Sequence, residues 1–223
     1  MGTSDIFDLE TNAQIGSLPG HADADSSASY SSDGKMIVTS SDDHLTEIWD
    51  AKTFREIKTL NLPRSEIWQA VFIHRGHLVG ECTYKGEPWV WDTATGKAIL
   101  SIDNVHSRQI GSLAFSKDGT RLLSAGDDAS LKTWDISTGV NVFEPLNSGN
   151  VEFGHVSFSD DGKKLDSGNQ NGRITIRDSN NASARAAVPL RSLTVETEVL
   201  KLLKVIQQDI FPRRILPICW KHA

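Results

Sequence analysis

Three groups of side chains in this 223-residue chain have the types that chemistry requires. His106, Ser124 and Asp128 are the residue types of an acyl-transfer triad, in which an imidazole takes the hydroxyl proton and a carboxylate orients the imidazole. No nucleophile elbow surrounds Ser124, and no oxyanion site accompanies it. His74 and His77 flank a turn with Glu81 nearby, but a metal site there needs further ligands that the local sequence does not provide. The pairs Asp42-Asp43 and Asp127-Asp128 share only their charge with calcium loops. They lack the alternating oxygen ligands and the closing Glu. Nothing resembles a phosphate-cradling loop. No catalytic residue, metal site or cofactor is therefore expected.

The elements that position these residues are repeats. Ile48-Trp49-Asp50, Val90-Trp91-Asp92, Thr133-Trp134-Asp135 and the altered Ile176-Arg177-Asp178 lie 42, 43 and 43 residues apart. A partial copy, Ile6-Phe7-Asp8, precedes the first by 42. A turn stands 16 residues before each Trp or its replacement: Asp33-Gly34-Lys35, Arg75-Gly76-His77, Asp118-Gly119-Thr120 and Asp161-Gly162-Lys163. Before each turn, small or apolar residues alternate with an aromatic, as in Ala28 and Tyr30, or Leu113 and Phe115. After it comes a second run, such as Met36-Ile37-Val38-Thr39, then a tight polar turn and the Trp strand. A turn carrying Thr95-Gly96 or Thr138-Gly139 leads to a fourth run, Lys97 to Ile102 or Val140 to Phe143. Short β-rich runs of period two between Gly and Asp turns read as four antiparallel strands per repeat. A fixed period of this size means one stacked supersecondary unit.

Over residues 5 to 190 this grammar resembles the WD-repeat family of β-propellers, in which a repeat of roughly 40–45 residues builds about one four-stranded blade. The resemblance implies an all-β fold, a partial β-propeller of about four four-stranded antiparallel blades, and a non-catalytic interaction role. It also implies an internal hydrogen-bond network. In the third copy the network would be His106, Ser124, Asp128 and Trp134. In the first it would be His21, Thr39, Asp43 and Trp49, with Thr replacing Ser. These structural positions account for the triad-like set. The second copy has Pro63, Glu81 and Lys85 and keeps Trp91 alone, while the fourth has Gly149, Ser167, Asn171 and Arg177. Both are expected to be less stable or more mobile. Asp25 falls where the other copies have Ile67, Ile110 and Phe153, a costly place for a carboxylate unless it is paired or exposed.

The family's partner-binding surface would carry over to Ala24, Ser26 and Asp42; Glu66, Trp68 and Tyr84; Gln109, Gly111 and Asp127; Glu152, Gly154 and Gln170. Trp68 and Tyr84 are aromatic anchors of the kind enriched at interface hot spots. The alternative for Trp68 is packing between blades. Glu66, Asp127 and Glu152 would favour a basic protein or peptide.

Charge divides the chain. Residues 1–178 carry 16 Lys and Arg against 26 Asp and Glu, a net of −10, whereas residues 179–223 carry 7 against 3, a net of +4. An acidic body argues against nucleic-acid binding, which rests on clustered basic residues. No apolar run approaches the roughly 20 residues that span a bilayer, and the first residues lack a signal peptide's apolar stretch. Cys82 and Cys219 have no metal-ligand spacing. A cytoplasmic protein is expected, with the nucleus left open. The repeat body is assigned to residues 1–190 and a tail to 191–223, where Thr194 would cap an amphipathic C-terminal helix through Phe211 that Pro212 stops. The tail would cover a blade edge or bind a partner. Three arrangements stay open: a fragment of a larger propeller, an open array, or self-association to complete a ring. A second functional reading also stays open, a propeller fragment of a larger multidomain signalling or regulatory protein whose catalytic domain lies elsewhere.

Overall fold

The structure is a computed structural model and describes residues 2–62, 65–73, 76–103, 105–159 and 161–179. It is all-β. A two-stranded sheet, β1 (Thr3–Phe7) and β2 (Gln14–Pro19), precedes four blades. Blade one holds β3 (Asp25–Tyr30), β4 (Met36–Ser41), β5 (Leu45–Asp50) and β6 (Glu56–Asn61). Blade two holds β7 (Ile67–Ile73), β8 (Leu78–Thr83), β9 (Pro88–Asp92) and β10 (Lys97–Ser101). Blade three holds β11 (Ile110–Phe115), β12 (Arg121–Gly126), β13 (Ser130–Asp135) and β14 (Leu146–Asn147). Blade four has three strands among the described residues: β15 (Phe153–Phe158), β16 (Lys164–Asn169) and β17 (Ile174–Asp178). Within each sheet, consecutive strands pair antiparallel.

The turns explain the Gly and Asp punctuation. Asp33 Oδ1 accepts the Ser31 hydroxyl at 2.7 Å and the Lys35 N–H at 3.1 Å, and Ser31 Oγ accepts the Met36 N–H at 3.0 Å. Ser116 with Asp118, and Ser159 with Asp161, repeat this knot in blades three and four. The Asp that follows each Trp is likewise a turn residue. Asp50 accepts the N–H and hydroxyl of Thr53, Asp92 those of Thr95, and Asp135 those of Thr138. These side-chain bonds take up backbone N–H groups that the ladder leaves free.

The core lies between the sheets rather than within one. Leu18 and Ile6 of the first sheet meet Ile37 and Trp49 of blade one. Val38, Ile48 and Leu60 of blade one meet Ile67, Ala70, Val79 and Trp91 of blade two. Cys82 and Val90 then meet Ile110, Leu113, Leu122 and Trp134, and Leu123, Ala125 and Leu131 meet Phe153, Val156 and Leu165. Both faces of β4, β8 and β12 are covered, so these strands are buried almost throughout, whereas β10 is largely exposed at the outer edge. Each buried Leu, Ile or Val adds about 1.5–3 kcal/mol.

A polar ladder stitches the first strands together. Ser27 Oγ accepts the Ala70 N–H at 2.9 Å, Gln69 Oε1 accepts the Leu113 N–H at 3.3 Å, and Ser112 Oγ accepts the Val156 N–H at 3.3 Å. Each rung joins one blade to the next at the same repeat position, which satisfies a backbone donor within the seam.

Several expectations change. The fourth strand of blade three is Leu146–Asn147, paired with Ser130 and Leu131, not a run over 140–143. That run still meets the end of β13 through the Asp135 N–H to Val140 O bond, the bridge of Trp134 with Asn141 and the Val142 N–H to Thr133 O bond. Pro145, which has no N–H to give a ladder, lies between these two stretches of pairing. Asp25 is partly paired: its Oδ2 accepts the Ser4 hydroxyl at 2.6 Å, while its Oδ1 is buried without a hydrogen-bond partner among the described residues. In blade two the core residues are buried on both faces, and Glu81 takes the place of the missing hydroxyl as acceptor for Trp91. Pro63, His74, Arg75, the strand expected over 184–190 and the helix expected from Thr194 to Phe211 lie outside the described residues.

Candidate protein-binding face

At one end of the blades, the start of each first strand meets the turn after the second. The backbone sets this with one repeated bond: Asp42 N–H to Ala24 O, Tyr84 N–H to Glu66 O, Asp127 N–H to Gln109 O, and Gln170 N–H to Glu152 O, at 2.9–3.3 Å. The structure therefore pairs the candidate positions within each blade. The residue between them on the first strand is a β-bulge in every blade, where the register shifts between Asp25 and Ser27, Ile67 and Gln69, Ile110 and Ser112, and Phe153 and His155. The extra residues are Ser26, Trp68, Gly111 and Gly154. A bulged residue leaves the alternation of the strand and is re-aimed. No sequence periodicity announces this, because the bulge interrupts the pattern that would reveal it.

The two halves of the face differ. On the side of blades three and four, the Arg108 guanidinium reaches Glu152 Oε1 at 2.6 Å and Asp127 O at 3.1 Å, and Gln170 Nε2 donates to Glu152 Oε2 at 2.6 Å. Both Glu152 oxygens therefore have partners inside the molecule, whereas Glu66 is exposed. Arg108 was absent from the sequence-based set, although its place beside Gln109 in a mostly acidic body was visible. The Asp127 carboxyl is raised by burial and by Glu152, with Arg108 opposing. Gln109 is half-buried.

The side of blades one and two carries the aromatics. Trp68 and Tyr84 meet edge to face, with centroids 5.5 Å apart and planes at 79°. The indole Nε1 donates to Gly111 O at 3.2 Å, so one bulge is tied to the next. Trp68 is thus both a seam residue between blades two and three and a half-buried part of the face. The Tyr84 hydroxyl is pushed up first by burial and then by the Asp42 and Glu66 carboxylates, which places both carboxylates within electrostatic reach of the ring. Asp42 accepts the Ser26 hydroxyl at 3.0 Å, and Glu66 is exposed.

The triad-like set is assembled but sealed. His106 Nε2 lies 2.8 Å from Ser124 Oγ and Nδ1 lies 3.0 Å from Asp128 Oδ1, while Trp134 Nε1 donates to Ser124 Oγ at 3.1 Å. Burial and then Lys132 favour the neutral imidazole against the pull of Asp128. The neutral ring donates from Nδ1 to Asp128 and accepts the Ser124 proton at Nε2. Gly126 permits the close fit, for a Cβ there would stand 2.3 Å from His106 Nδ1. Ser124 has no solvent exposure. Blade one repeats the arrangement: His21 Nε2 to Thr39 Oγ1 at 2.9 Å, Nδ1 to Asp43 at 3.1 Å, and Trp49 Nε1 to Thr39 Oγ1 at 3.0 Å. Among the described residues no cluster of His, Cys, Asp and Glu could hold a metal ion. Glu81 is fully buried and His77 is exposed, so the two do not form a common site.

A family model described as "WD domain, G-beta repeat" matches residues 12–50 and 97–135. Each matched segment runs through a fourth strand and the next blade as far as its Trp strand, and these are the segments that hold the complete His, hydroxyl, Asp and Trp sets. The chain is similar to a guanine nucleotide-binding protein subunit beta of Solanum tuberosum, 28% identical over 121 residues, 51% of this chain and 32% of that protein. It is similar to the U3 small nucleolar RNA-associated protein 12 of Saccharomyces cerevisiae, 31% identical over 106 residues, 48% of this chain and 11% of that protein. Transducin beta-like protein 2 of Mus musculus is 31% identical over 106 residues, 44% of this chain and 24% of that protein. The chain spans about a third or less of the length of these relatives.

Proposed function

The chain is a WD-repeat protein, and on that premise we propose that it is a non-catalytic, cytoplasmic protein-interaction scaffold whose end face takes a basic peptide or protein segment. The observation that carries this is the Trp68–Tyr84 edge-to-face pair with Asp42 and Glu66 in reach of the phenol. Aromatic rings give large contact area at low entropic cost, and a ring flanked by carboxylates attracts a Lys or Arg side chain through charge and through its face. Glu152 takes no part, because Arg108 and Gln170 occupy it. The names of several relatives are those of subunits or associated proteins, which agrees with a scaffold role. Residues 1–190 are the interaction body in this reading, and the tail over 191–223 is a second contact.

Partner capture tests the reading, with the full chain compared to Glu66→Lys, Tyr84→Ala and Glu152→Gln variants. The first two are expected to lose captured partners at unchanged circular dichroism, and retention should weaken as salt rises. Glu152→Gln should keep them. A folded Glu66→Lys, Tyr84→Ala double variant that retains every partner would sink the proposal. A second reading, a propeller fragment of a larger multidomain signalling or regulatory protein whose catalytic domain lies elsewhere, stays beside the first.

A further inference from the structure

Glu81 occupies the seat that Thr39 and Ser124 hold in blades one and three, but as a carboxyl with no solvent exposure. It lies at the seam between blades one and two. On its own sheet it pairs with Ala70 of β7 and Trp89 of β9. Val38 and Ile48 of blade one pack against Val79 and Trp91 around it, and the Thr46 hydroxyl comes across the seam within reach of the carboxyl. Glu81 Oε2 accepts the Trp91 indole N–H at 2.7 Å. Among the described residues its Oε1 has no well-formed hydrogen bond, and neither has Thr46 Oγ1.

The Thr46 hydroxyl can donate to a charged carboxylate or accept from a neutral carboxyl, so what a proton on Glu81 removes is the buried charge itself, which has only neutral hydrogen-bond partners among the described residues. No charged side chain faces Glu81 from the described parts of the packed elements. Blade one presents Val38, Ser40, Thr46, Ile48 and Leu60, and β7 and β9 present Ala70, Trp89 and Trp91; Lys58 of β6 shares that face of blade one, but its Nζ goes to Ala94 O, beside Asp92 at the far end of the seam. Cys82, next in the chain, lies on the opposite face, and burial pushes its thiol far up, so it stays neutral.

We propose that Glu81 is a proton-bearing strut: protonated, its Oε1–H donates to Thr46 Oγ1 and ties blade one to blade two; deprotonated, it takes the Thr46 hydroxyl as a donor but leaves a charge that no counter-ion among the described residues meets, and this loosens the seam. Oε2 remains the acceptor for Trp91 in both states. Burial pushes the carboxyl up to about 7, against the opposing pull of the Thr46 and Trp91 side chains. A carboxyl whose folded value lies above its unfolded one contributes stability that is complete below the unfolded value. That contribution is lost as pH rises through the folded one. The window is therefore about pH 4.5 to 7. The proposal stands apart from the partner reading, since it concerns the seam and not what binds the face.

The test is denaturant unfolding of the full chain from pH 5 to 8.5, beside Glu81→Gln, which keeps an acceptor for Trp91 and a donor for Thr46 but cannot lose a proton. Between the ends of this range the unfolding equilibrium of the native chain should rise on the order of a hundredfold relative to Glu81→Gln. Exchange of the Ala70 amide, which bonds across the seam to Ser27, should accelerate over the same interval in the native chain alone. Glu81→Ser, with the residue that blade three uses, should also be free of the step and decides the matter if Glu81→Gln does not fold. The buried Glu47 is common to all three chains, so the difference isolates Glu81. Parallel pH profiles of the native chain and the folded variant would overturn the strut.

Discussion

Blades two and three put the same indole in the same seat and answer it differently. In blade three Trp134 donates to Ser124, the Ser124 hydroxyl donates to His106 Nε2, and the His106 Nδ1–H donates to Asp128. In blade two Trp91 donates to Glu81 alone. The seat requires an acceptor for a buried indole N–H, and the His and Asp are an extension of that requirement. Where the indole itself is replaced, as by Arg177 in blade four, the seat is left with a buried Nε that has no hydrogen-bond partner among the described residues.

Removing the indole N–H should separate the two solutions most. Trp134→Phe leaves Ser124 still bonded to His106 and should cost about 1–2 kcal/mol. Trp91→Phe strips the fully buried Glu81 of its N–H donor, and above pH 7.5 should cost about 3–4 kcal/mol, in the range for a buried charge deprived of its partner. Below pH 6 the Glu81 carboxyl is neutral and the gap should narrow. Denaturant midpoints at the two pH values check this, and equal costs throughout would mean that Glu81 is no acceptor of consequence.

Blades one and three both hold the complete network, with Thr39 in place of Ser124, and differ further in what lies beside the imidazole. Glu47 Oε2 stands 3.6 Å from His21 Nε2, whereas in blade three Lys132 reaches Val105 O and disfavours a charged His106. Burial and neighbouring carboxylates raise Glu47, with His21 opposing. Asp128 goes the other way. Burial would raise it, but the Ser130 hydroxyl, the Ser107 N–H and His106 outweigh burial and hold it at about 2. A depressed carboxyl contributes stability above its unfolded value of 3.8 that is lost as pH falls through the folded one. Asp128→Asn should therefore cost about 1–2 kcal/mol at pH 7 once solvent screening is allowed for. The deficit should vanish between pH 4 and about 2. A deficit unchanged at pH 2.5 would assign the effect to shape rather than charge.

The repeat itself was legible because its turns are made of single residues with single uses: Asp33, Asp118 and Asp161 each knot one turn, and Asp50, Asp92 and Asp135 each close another. The complete networks could be named because all four members fall at fixed spacing. What spacing hid was substitution of function. Glu81 read as a lost hydroxyl, and only the geometry shows a longer side chain reaching the same N–H. The bulges at Ser26, Trp68, Gly111 and Gly154 were hidden too, since a one-residue insertion in a first strand leaves the overall period unchanged. Arg108 and Glu152 are joined across 44 residues, and nothing local to either announces the other.

The smallest difference between blades lies in the turn after each second strand. The four equivalent residues, His44, Gly86, Ala129 and Gly172, all adopt left-handed backbone with φ of 71°, 77°, 64° and 72°. Glycine meets no Cβ penalty there, while an L residue costs about 1–2 kcal/mol, partly offset by the entropy that glycine loses on folding. His44 is exposed, and its carbonyl, which accepts the Leu62 N–H, survives any substitution. His44→Gly should therefore stabilise the chain by about 0.5–1 kcal/mol, a rise of about 1–4 °C in Tm for a domain of this size. Ala129→Gly should gain less, because the Ala129 methyl is buried and its packing is lost with it. A fall in Tm for His44→Gly would show that the imidazole holds blade one through a contact worth more than the backbone strain, and the turns of blades one and two would then differ in more than glycine content.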